Sequence, residues 1–202
     1  MERHQERQKF YEQHLGQSQT IHSLLSEPIH VHVHMFEPRP TTPLSIWITN
    51  GLSENLMDAP TPAGLSVNER RIELLLYTDA TKESEFGRAW PLNVLRNVAK
   101  VPLDRKTWFN TYLAAPLSKP PAPIVPGSSL TIPFFLPPLY ENEAFQAGLT
   151  CNDGERVSFL WLDFITTAEF EFLLRNGLQA LLSLFNEMGH GPPLNPLRAS
   201  FV

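Results

Sequence analysis

A chain of 202 residues, 42% hydrophobic and 18% charged, carries enough apolar material for one globular domain with a sizeable core. Its formal net charge is −5 and it has no run of Lys or Arg, which excludes a protein that binds the phosphate backbone of a nucleic acid. The single cysteine excludes an internal disulfide, and no apolar stretch approaches the roughly 20 residues that span a bilayer. We therefore expect a cytoplasmic protein.

The N-terminal part of the chain predicts a helix followed by three strands. In residues 1–19, apolar side chains recur at three- and four-residue spacing, as on one face of a helix. Residues 29–36 alternate between apolar residues and histidine, which is typical of a half-buried strand. We place the helix at residues 3–17 and the strands at 29–36, 44–50 and 72–77.

The middle of the chain predicts one helix between two irregular segments. Residues 55–69 hold Pro, Gly and Asn and are expected to form a loop. A helix begins near Pro91, a residue suited to the first helical position, and we expect Pro102 to end it. Residues 102–128 then form a long Pro-rich segment, of a length that is usually functional or mobile.

The C-terminal part predicts two strands, a long helix and an extended tail over residues 190–202. Pro133 cannot donate to a strand ladder, so the strand at 129–136 is expected at an edge or a bulge. Residues 156–165 are apolar at nearly every position, as in a central strand covered on both faces. A capping-box sequence then starts a helix over 167–188. Its expected apolar stripe comprises Phe170, Leu173, Leu174, Leu178, Leu181, Leu182 and Phe185.

Three histidines, His30, His32 and His34, are spaced by two along the first predicted strand and would share one face. Imidazoles on one face can bind zinc, so a metal-dependent hydrolase built on them is the alternative function. The three span roughly 13 Å at about 3.3 Å per residue, which lets one ion touch only a neighbouring pair. Because no complementary ligand motif is present, we expect a solvated or hydrogen-bonded polar face, with no metal and no cofactor.

The sequence contains no motif for covalent or phosphate chemistry. Cys151 lacks the local signature of a catalytic thiol and precedes the turn sequence Asn152-Asp153-Gly154, in which Asp153 is expected to cap the turn. Gly51-Leu52-Ser53 is too short to define a site, and Ser53 is expected to serve in a turn or cap. Neither a phosphate loop nor a nucleophile elbow occurs. We therefore expect a protein that is not an enzyme.

An aromatic cluster of Trp108, Phe109 and Tyr112 lies in the long irregular segment, beside Asp104, Arg105 and Lys106. Aromatic and Arg side chains are the usual anchors of protein interfaces, so these aromatics are candidates for binding a protein partner. The competing interpretation is that they fold back and cover the sheet, because large aromatic side chains are usually needed for burial.

An ordered series of segments carries a family resemblance. The segments are His30–Met35, Trp47-Ile48-Thr49 with Gly51-Leu52-Ser53, Arg71-Ile72-Glu73-Leu74, Leu92–Ala99, Phe135-Leu136-Pro137-Pro138, Val157-Ser158-Phe159-Leu160-Trp161, and Thr167 through Asn176-Gly177-Leu178. Their order and spacing, from about residue 20 to residue 190, resemble the bacterial single-domain form of the suppressor-of-fused family.

The resemblance implies a single mixed α+β domain, residues 1–202, in which helices pack on a central sheet. In animals the family protein binds and restrains zinc-finger transcription factors of Hedgehog signalling, and a second domain closes on the partner. This chain matches only the N-terminal domain. The animal segment that resembles Thr-Phe-Cys-Ser-Gly-Asp contacts the partner through its acidic residue, whereas residues 107–112 here are Thr-Trp-Phe-Asn-Thr-Tyr.

For bacterial members, the resemblance implies immunity proteins that neutralise protein toxins. On these grounds we expect a non-catalytic domain that binds and sequesters a protein partner, and we expect neither a nucleic-acid nor a membrane partner.

Overall fold

In the part of the chain that the structure describes, seven strands form one mixed sheet. The structure is a computed structural model that describes residues 2–40, 42–58, 70–87, 89–105 and 107–202. The strands are β1 (Thr20–Leu25), β2 (Val31–Phe36), β3 (Ser45–Asn50), β4 (Ile72–Thr78), β5 (Leu130–Leu136), β6 (Leu149–Thr150) and β7 (Arg156–Thr166). Their order is β1-β2-β3-β4-β7-β5, with β6 paired to β7, and only the β4–β7 pair is parallel.

Helices cover both faces of this sheet. Among the described residues they are α1 (Glu2–Leu15), α2 (Ala80–Phe86), α3 (Trp90–Arg105), α4 (Glu143–Gln146), α5 (Thr167–Asn176) and α6 (Leu178–Glu187). Side chains of α3 pack with one core cluster, and those of α1, α4 and α6 pack with a second cluster on the opposite face. The result is the single α+β domain that the sequence predicts. None of the described helices is long and apolar enough to cross a lipid bilayer.

The two-sided core explains why the interior strands are apolar at consecutive positions. In β4, Leu74 and Leu76 belong to the α3 cluster, whereas Leu75 and Tyr77 belong to the cluster under α1 and α6. Successive side chains of a strand point to opposite faces, so a strand covered on both faces needs apolar residues throughout. The same rule applies to β7, which lies between β4 and β5, and the predicted central strand is confirmed.

Pro133 marks an edge strand, as predicted. It lies in β5, the last strand in the sheet order. An edge strand has one side without a neighbouring strand, so a proline there can lack an N–H without breaking the hydrogen bonds of the sheet. The β5–β7 register also shifts between Leu130 and Ile132, so the strand carries an irregularity as well. The predicted loop at 55–69 lies mostly outside the described residues, since 59–69 are not described.

Two predicted helix boundaries are wrong. Pro102 does not end the second predicted helix, because α3 continues through it to Arg105. Proline there removes only one hydrogen bond near the helix end, and the residue is buried. The long C-terminal helix is in fact two helices, α5 and α6, divided at Gly177, whose φ is 84°. Few non-glycine residues adopt that conformation, and the Gly177 N–H closes α5 on the Leu173 carbonyl.

Candidate protein-binding groove

The segment that follows α3 places its three aromatic side chains at different depths. Phe109 is 2% exposed and stacks on Phe135, with ring centroids 4.3 Å apart. Trp108 is half-buried against the same core cluster. Only Tyr112 presents much of its side chain to solvent. Phe109 thus belongs to the core in this structure, which agrees with the interpretation that the aromatic side chains fold back on the sheet.

Tyr112 is held in place along the outer edge of β5. Its N–H donates to the Phe135 carbonyl (2.6 Å), and the Phe135 N–H donates to the Leu113 carbonyl (3.0 Å). A further bridge joins Ala114 to Phe134. Tyr112 has a φ of 66°, a left-handed conformation that costs a non-glycine residue roughly 1 kcal/mol or more. The hydrogen bonds to the edge strand offset this cost and fix the direction of the side chain.

Next to Tyr112 a groove of about 370 Å³ opens on the α6 face of the sheet. Trp161 of β7 and Phe185 of α6 are buried and form its floor. The rim carries exposed apolar and aromatic side chains, with Tyr112 43%, Leu139 58% and Tyr140 49% exposed. The remaining lining residues are Leu136, Pro137, Leu182, Asn186, His190, Gly191 and Pro192.

Polar groups at the base of the groove are few and buried. His190 Nε2 lies 2.7 Å from Oδ2 of Asp163, a side chain that is 1% exposed. Within the described part of the chain, the buried atoms Trp161 Nε1 and Asp163 Oδ1 have no hydrogen-bond partner. Among the described residues that line the groove, none is Ser, Thr or Cys, and the side-chain hydroxyl groups there belong to Tyr112 and Tyr140. A concave site that is mostly apolar and has few polar groups is the usual form of a binding site.

The C-terminal tail is fixed behind this groove by a buried ion pair. Arg198 donates to both carboxylate oxygens of Glu169, at 2.6 and 2.8 Å, and Glu169 also completes the capping box of α5 with Thr166. Burial alone would raise the pKa of Glu169, but the hydrogen bonds from Arg198, Thr166 and Phe201 outweigh it and lower that pKa. The tail was predicted to be extended and is instead irregular but anchored, and its Phe201 ring meets Phe185 of α6 at a centroid distance of 5.9 Å.

The histidine face of β2 is covered by α1, so that at His34 the expected solvated or hydrogen-bonded face takes its hydrogen-bonded form. His34 is 2% exposed and its ring meets Tyr11 of α1 edge-on, whereas His30 precedes the strand and is exposed. His32 is half-buried, with its ring 5.8 Å from that of His4. Within the described residues, no group of three or more His, Cys, Asp or Glu side chains is placed to hold a metal ion.

The hydrogen bonds around Asn50 fix the protonation of His34. Arg7 Nε donates to Asn50 Oδ1 (2.7 Å), so the Asn50 amide nitrogen is the atom that faces His34 Nε2, at 3.1 Å. An amide nitrogen can only donate, and His34 Nε2 must therefore accept. The neutral ring then carries its proton on Nδ1. Protonation of Nε2 would set two donors against each other, and burial, with His32 nearby, lowers the pKa of His34 to about 4.

We expect this histidine to make the fold sensitive to acid. Its pKa falls from 6.5 in the unfolded chain to about 4 in the folded one, so the unfolded chain takes up the proton first. The contribution of His34 to the free energy of unfolding is therefore largest above about pH 6.5. It declines as the pH falls and stops declining near pH 4, after a total loss of up to roughly 3 kcal/mol. Urea unfolding across this range should show a shallower decline for His34→Gln than for the wild type.

His30→Gln is the matched control for that measurement, because His30 lies in the same histidine run but is exposed. Burial also lowers the pKa values of His4 and His14, which add to the same pH window, so the test is the difference between variants. An equal flattening by His30→Gln and His34→Gln, or none by either, would contradict the assignment.

Glu73 of β4 carries the most heavily bonded polar site in the described structure, and sequence reasoning missed it. Its side chain is fully buried and accepts hydrogen bonds from the Thr49 hydroxyl, the Ser53 hydroxyl and the backbone N–H groups of residues 51–53. Arg7 Nε of α1 lies 3.4 Å away. Five donors occupy the two oxygens of this carboxylate and leave no free lone pair for a reacting group, so the site is structural. Ser53 serves in a turn, as predicted.

Cys151 is likewise not a reactive group. Burial, with Glu6 nearby, raises the pKa of its thiol, which keeps the thiol protonated. The neighbouring Asp153 accepts the Glu155 N–H (3.0 Å), which confirms its predicted role in capping the turn.

The fold places the protein in the class of three-layer α+β domains, in which a mixed sheet lies between two helical layers. The sequence profile of the family described as Suppressor of fused protein (SUFU) matches residues 27–199. The chain therefore belongs to the suppressor-of-fused family, as the resemblance in its sequence predicts. No curated protein matches the chain.

Solved structures of this family share the fold. A suppressor-of-fused homologue from Neisseria gonorrhoeae aligns with a TM-score of 0.64 and 19% identity, over 98% of this chain and 93% of that one. The Sufu–Fu complex aligns at 0.58 and 14%, over 91% and 82%. Drosophila Suppressor of Fused aligns at 0.64 and 13% over 98% of this chain, which spans only 50% of the Drosophila chain. At these identities the likeness shows the fold alone.

Proposed function

We propose that the chain is a non-catalytic domain that binds and sequesters a protein partner. The observation that carries this proposal is the groove beside Tyr112, with three large exposed side chains around a buried aromatic floor. Soluble proteins seldom leave aromatic and aliphatic side chains together at the surface of a concave site unless the site binds something. Membership of a family whose solved structures include a Sufu–Fu complex supports a protein as the occupant.

We further propose that the protein acts in the cytoplasm and that its partner is a protein toxin. This rests on the similarity to bacterial single-domain members of the family. In this role the domain would occlude a functional surface of the toxin, so tight binding alone would be sufficient and no catalytic group would be needed.

The partner site is predicted to depend on Tyr112 and Leu139. Truncation of an interface anchor typically costs at least about 2 kcal/mol, or roughly thirtyfold in affinity. We expect Tyr112→Ala and Leu139→Ala each to weaken binding by about this amount toward a partner captured from the native host. Binding is measured by calorimetry with purified proteins.

Ile21→Ala is the matched control, because Ile21 is a similarly exposed apolar residue at the opposite edge of the sheet. Thermal unfolding must show that all three variants are folded. If affinity is unchanged in both groove variants while Ile21→Ala weakens it, the groove is not the partner site.

The same measurements cover Trp108. Loss of folding in Trp108→Ala would assign that side chain to the core.

A further inference from the structure

A second cavity, of about 380 Å³, lies on the opposite face of the sheet from the groove, where α2 meets the ends of β1, β2 and β3. Its lining residues are His22, Met35, Glu37, Pro38, Ser45, Trp47, Ala80, Glu83 and Ser84. Ligand sites in proteins usually measure about 300 to 1,000 Å³, so the cavity is large enough for a small molecule or one long side chain.

Glu83 supplies a buried negative charge to this cavity. The residue is only 9% exposed, and its Oε1 accepts hydrogen bonds from Trp47 Nε1 (3.2 Å) and from the Thr78 hydroxyl. Its other oxygen, Oε2, accepts no hydrogen bond from any residue that the structure describes. A carboxylate held through one oxygen by fixed donors presents the other in a constant direction, and partial burial strengthens its attraction for a cation.

The surroundings of Glu83 favour a positive ligand. A second carboxylate, Glu37, lines the cavity, and none of the described lining residues is Lys or Arg. The nearest basic residue of α2, Lys82, is already paired with Glu85 at 2.7 Å. No protein cation among the described residues therefore neutralises Glu83.

The walls of the cavity can hold the apolar stem of such a ligand. Trp47 and His22 stack with ring centroids 5.9 Å apart and an interplanar angle of 28°, and Met35 lies opposite Trp47 in the β2–β3 register. An indole face attracts ammonium and guanidinium groups, and a thioether packs against aliphatic carbon.

We propose that this cavity binds an organic cation, a primary ammonium or guanidinium group on a short aliphatic stem, with the cation on Glu83 and the stem against Trp47. The same chemistry occurs in free amines and in Lys or Arg side chains of another protein. The proposal is independent of the function proposed for the groove on the other face.

The test is a titration of the purified chain with n-butylammonium, n-butylguanidinium and n-butanol, followed by the NMR signal of the Trp47 indole N–H. Both cations should shift this signal saturably, and butanol, which matches the stem without the charge, should not. A tripeptide with a central lysine and blocked termini forms a further arm. A saturable shift with the peptide assigns the site to protein side chains as well, and a shift with the free amines alone assigns it to small molecules.

Glu83→Gln should weaken cation binding at least tenfold, since the amide can still accept from Trp47 and Thr78 but carries no charge. Glu171→Gln, at an exposed position of α5, is the matched control and should bind as the wild type does. Ser84→Arg keeps Glu83 intact and should abolish binding by placing a cation in the cavity from within the chain. Absence of a saturable shift with either cation, or equal binding by the wild type and the folded Ser84→Arg protein, would overturn the proposal.

Discussion

Glu73→Ala is expected to destabilise the fold by at least about 4 kcal/mol, or to prevent folding. The substitution leaves the buried N–H groups of residues 51–53 without an acceptor and removes the carboxylate next to Arg7, which is 1% exposed. Each unsatisfied buried donor costs about 1 to 3 kcal/mol, and loss of one of the two carboxylates that pair with Arg7 adds to this, although Glu54 remains 2.7 Å from Arg7. Since domains are stable by only about 5 to 15 kcal/mol, the loss is a large fraction of the total.

Glu155→Ala is the matched control for this prediction. Glu155 also pairs with an arginine, Arg71 at 2.8 Å, but both side chains are partly exposed. Such pairs contribute at most about 1 kcal/mol, so the control should remain close to the wild type in urea unfolding followed by circular dichroism. If Glu73→Ala loses no more stability than Glu155→Ala, the network around Glu73 does not hold α1 and the 51–53 turn to the sheet.

Leu181→Ala is expected to cost about 2 to 5 kcal/mol, because Leu181 is fully buried where α6 packs on the sheet. Leu174→Ala should cost less than about 0.5 kcal/mol, although both leucines belong to the stripe that the sequence predicts. Leu174 is 69% exposed within α5, whereas Leu181 lies in α6, beyond the break at Gly177. The same urea unfolding measures both variants.

This pair of variants tests whether the helix divides at Gly177. One continuous helix would place both side chains on a single buried stripe, and the two substitutions would then cost similar amounts. A small effect at Leu181 would show instead that α6 does not dock on the sheet at this position.

The parts of the fold that could be predicted are those with a strong local signal. β7 is apolar on both faces, Pro133 restricts β5 to an edge, and the capping box at Thr166 marks the start of α5. Each signal involves neighbouring residues and a backbone rule, so no knowledge of distant contacts is needed.

The elements that were missed have weak local signals. β1 lies at the other edge of the sheet and reads Thr-Ile-His-Ser-Leu-Leu, with no clean alternation of apolar and polar residues. α2 has only seven residues and no apolar stripe. Gly177 interrupts a periodic pattern that continues on both sides of it, and an isolated glycine within such a pattern is often tolerated in a helix.

The polar and functional sites depend on residues that are far apart in the sequence. Glu73 receives its donors from residues 49–53, and His34 becomes buried only because α1 covers β2. The groove combines Tyr112 with residues near 139, 161 and 185, and of its lining residues only Tyr112 was predicted from the sequence to bind a partner. Tertiary packing decides these contacts, so a local pattern does not reveal them.

Site-specific photo-crosslinking tests the central claim most directly. A photoreactive phenylalanine analogue replaces Leu139 at the groove rim or, as a control, Ile21 at the opposite edge, and both proteins are irradiated in native cells. We predict that the Leu139 position yields one dominant crosslinked protein and that the Ile21 position yields none of it. Crosslinking of that protein from position 21 but not from position 139 would contradict the account, as would a groove position that yields no crosslinked protein.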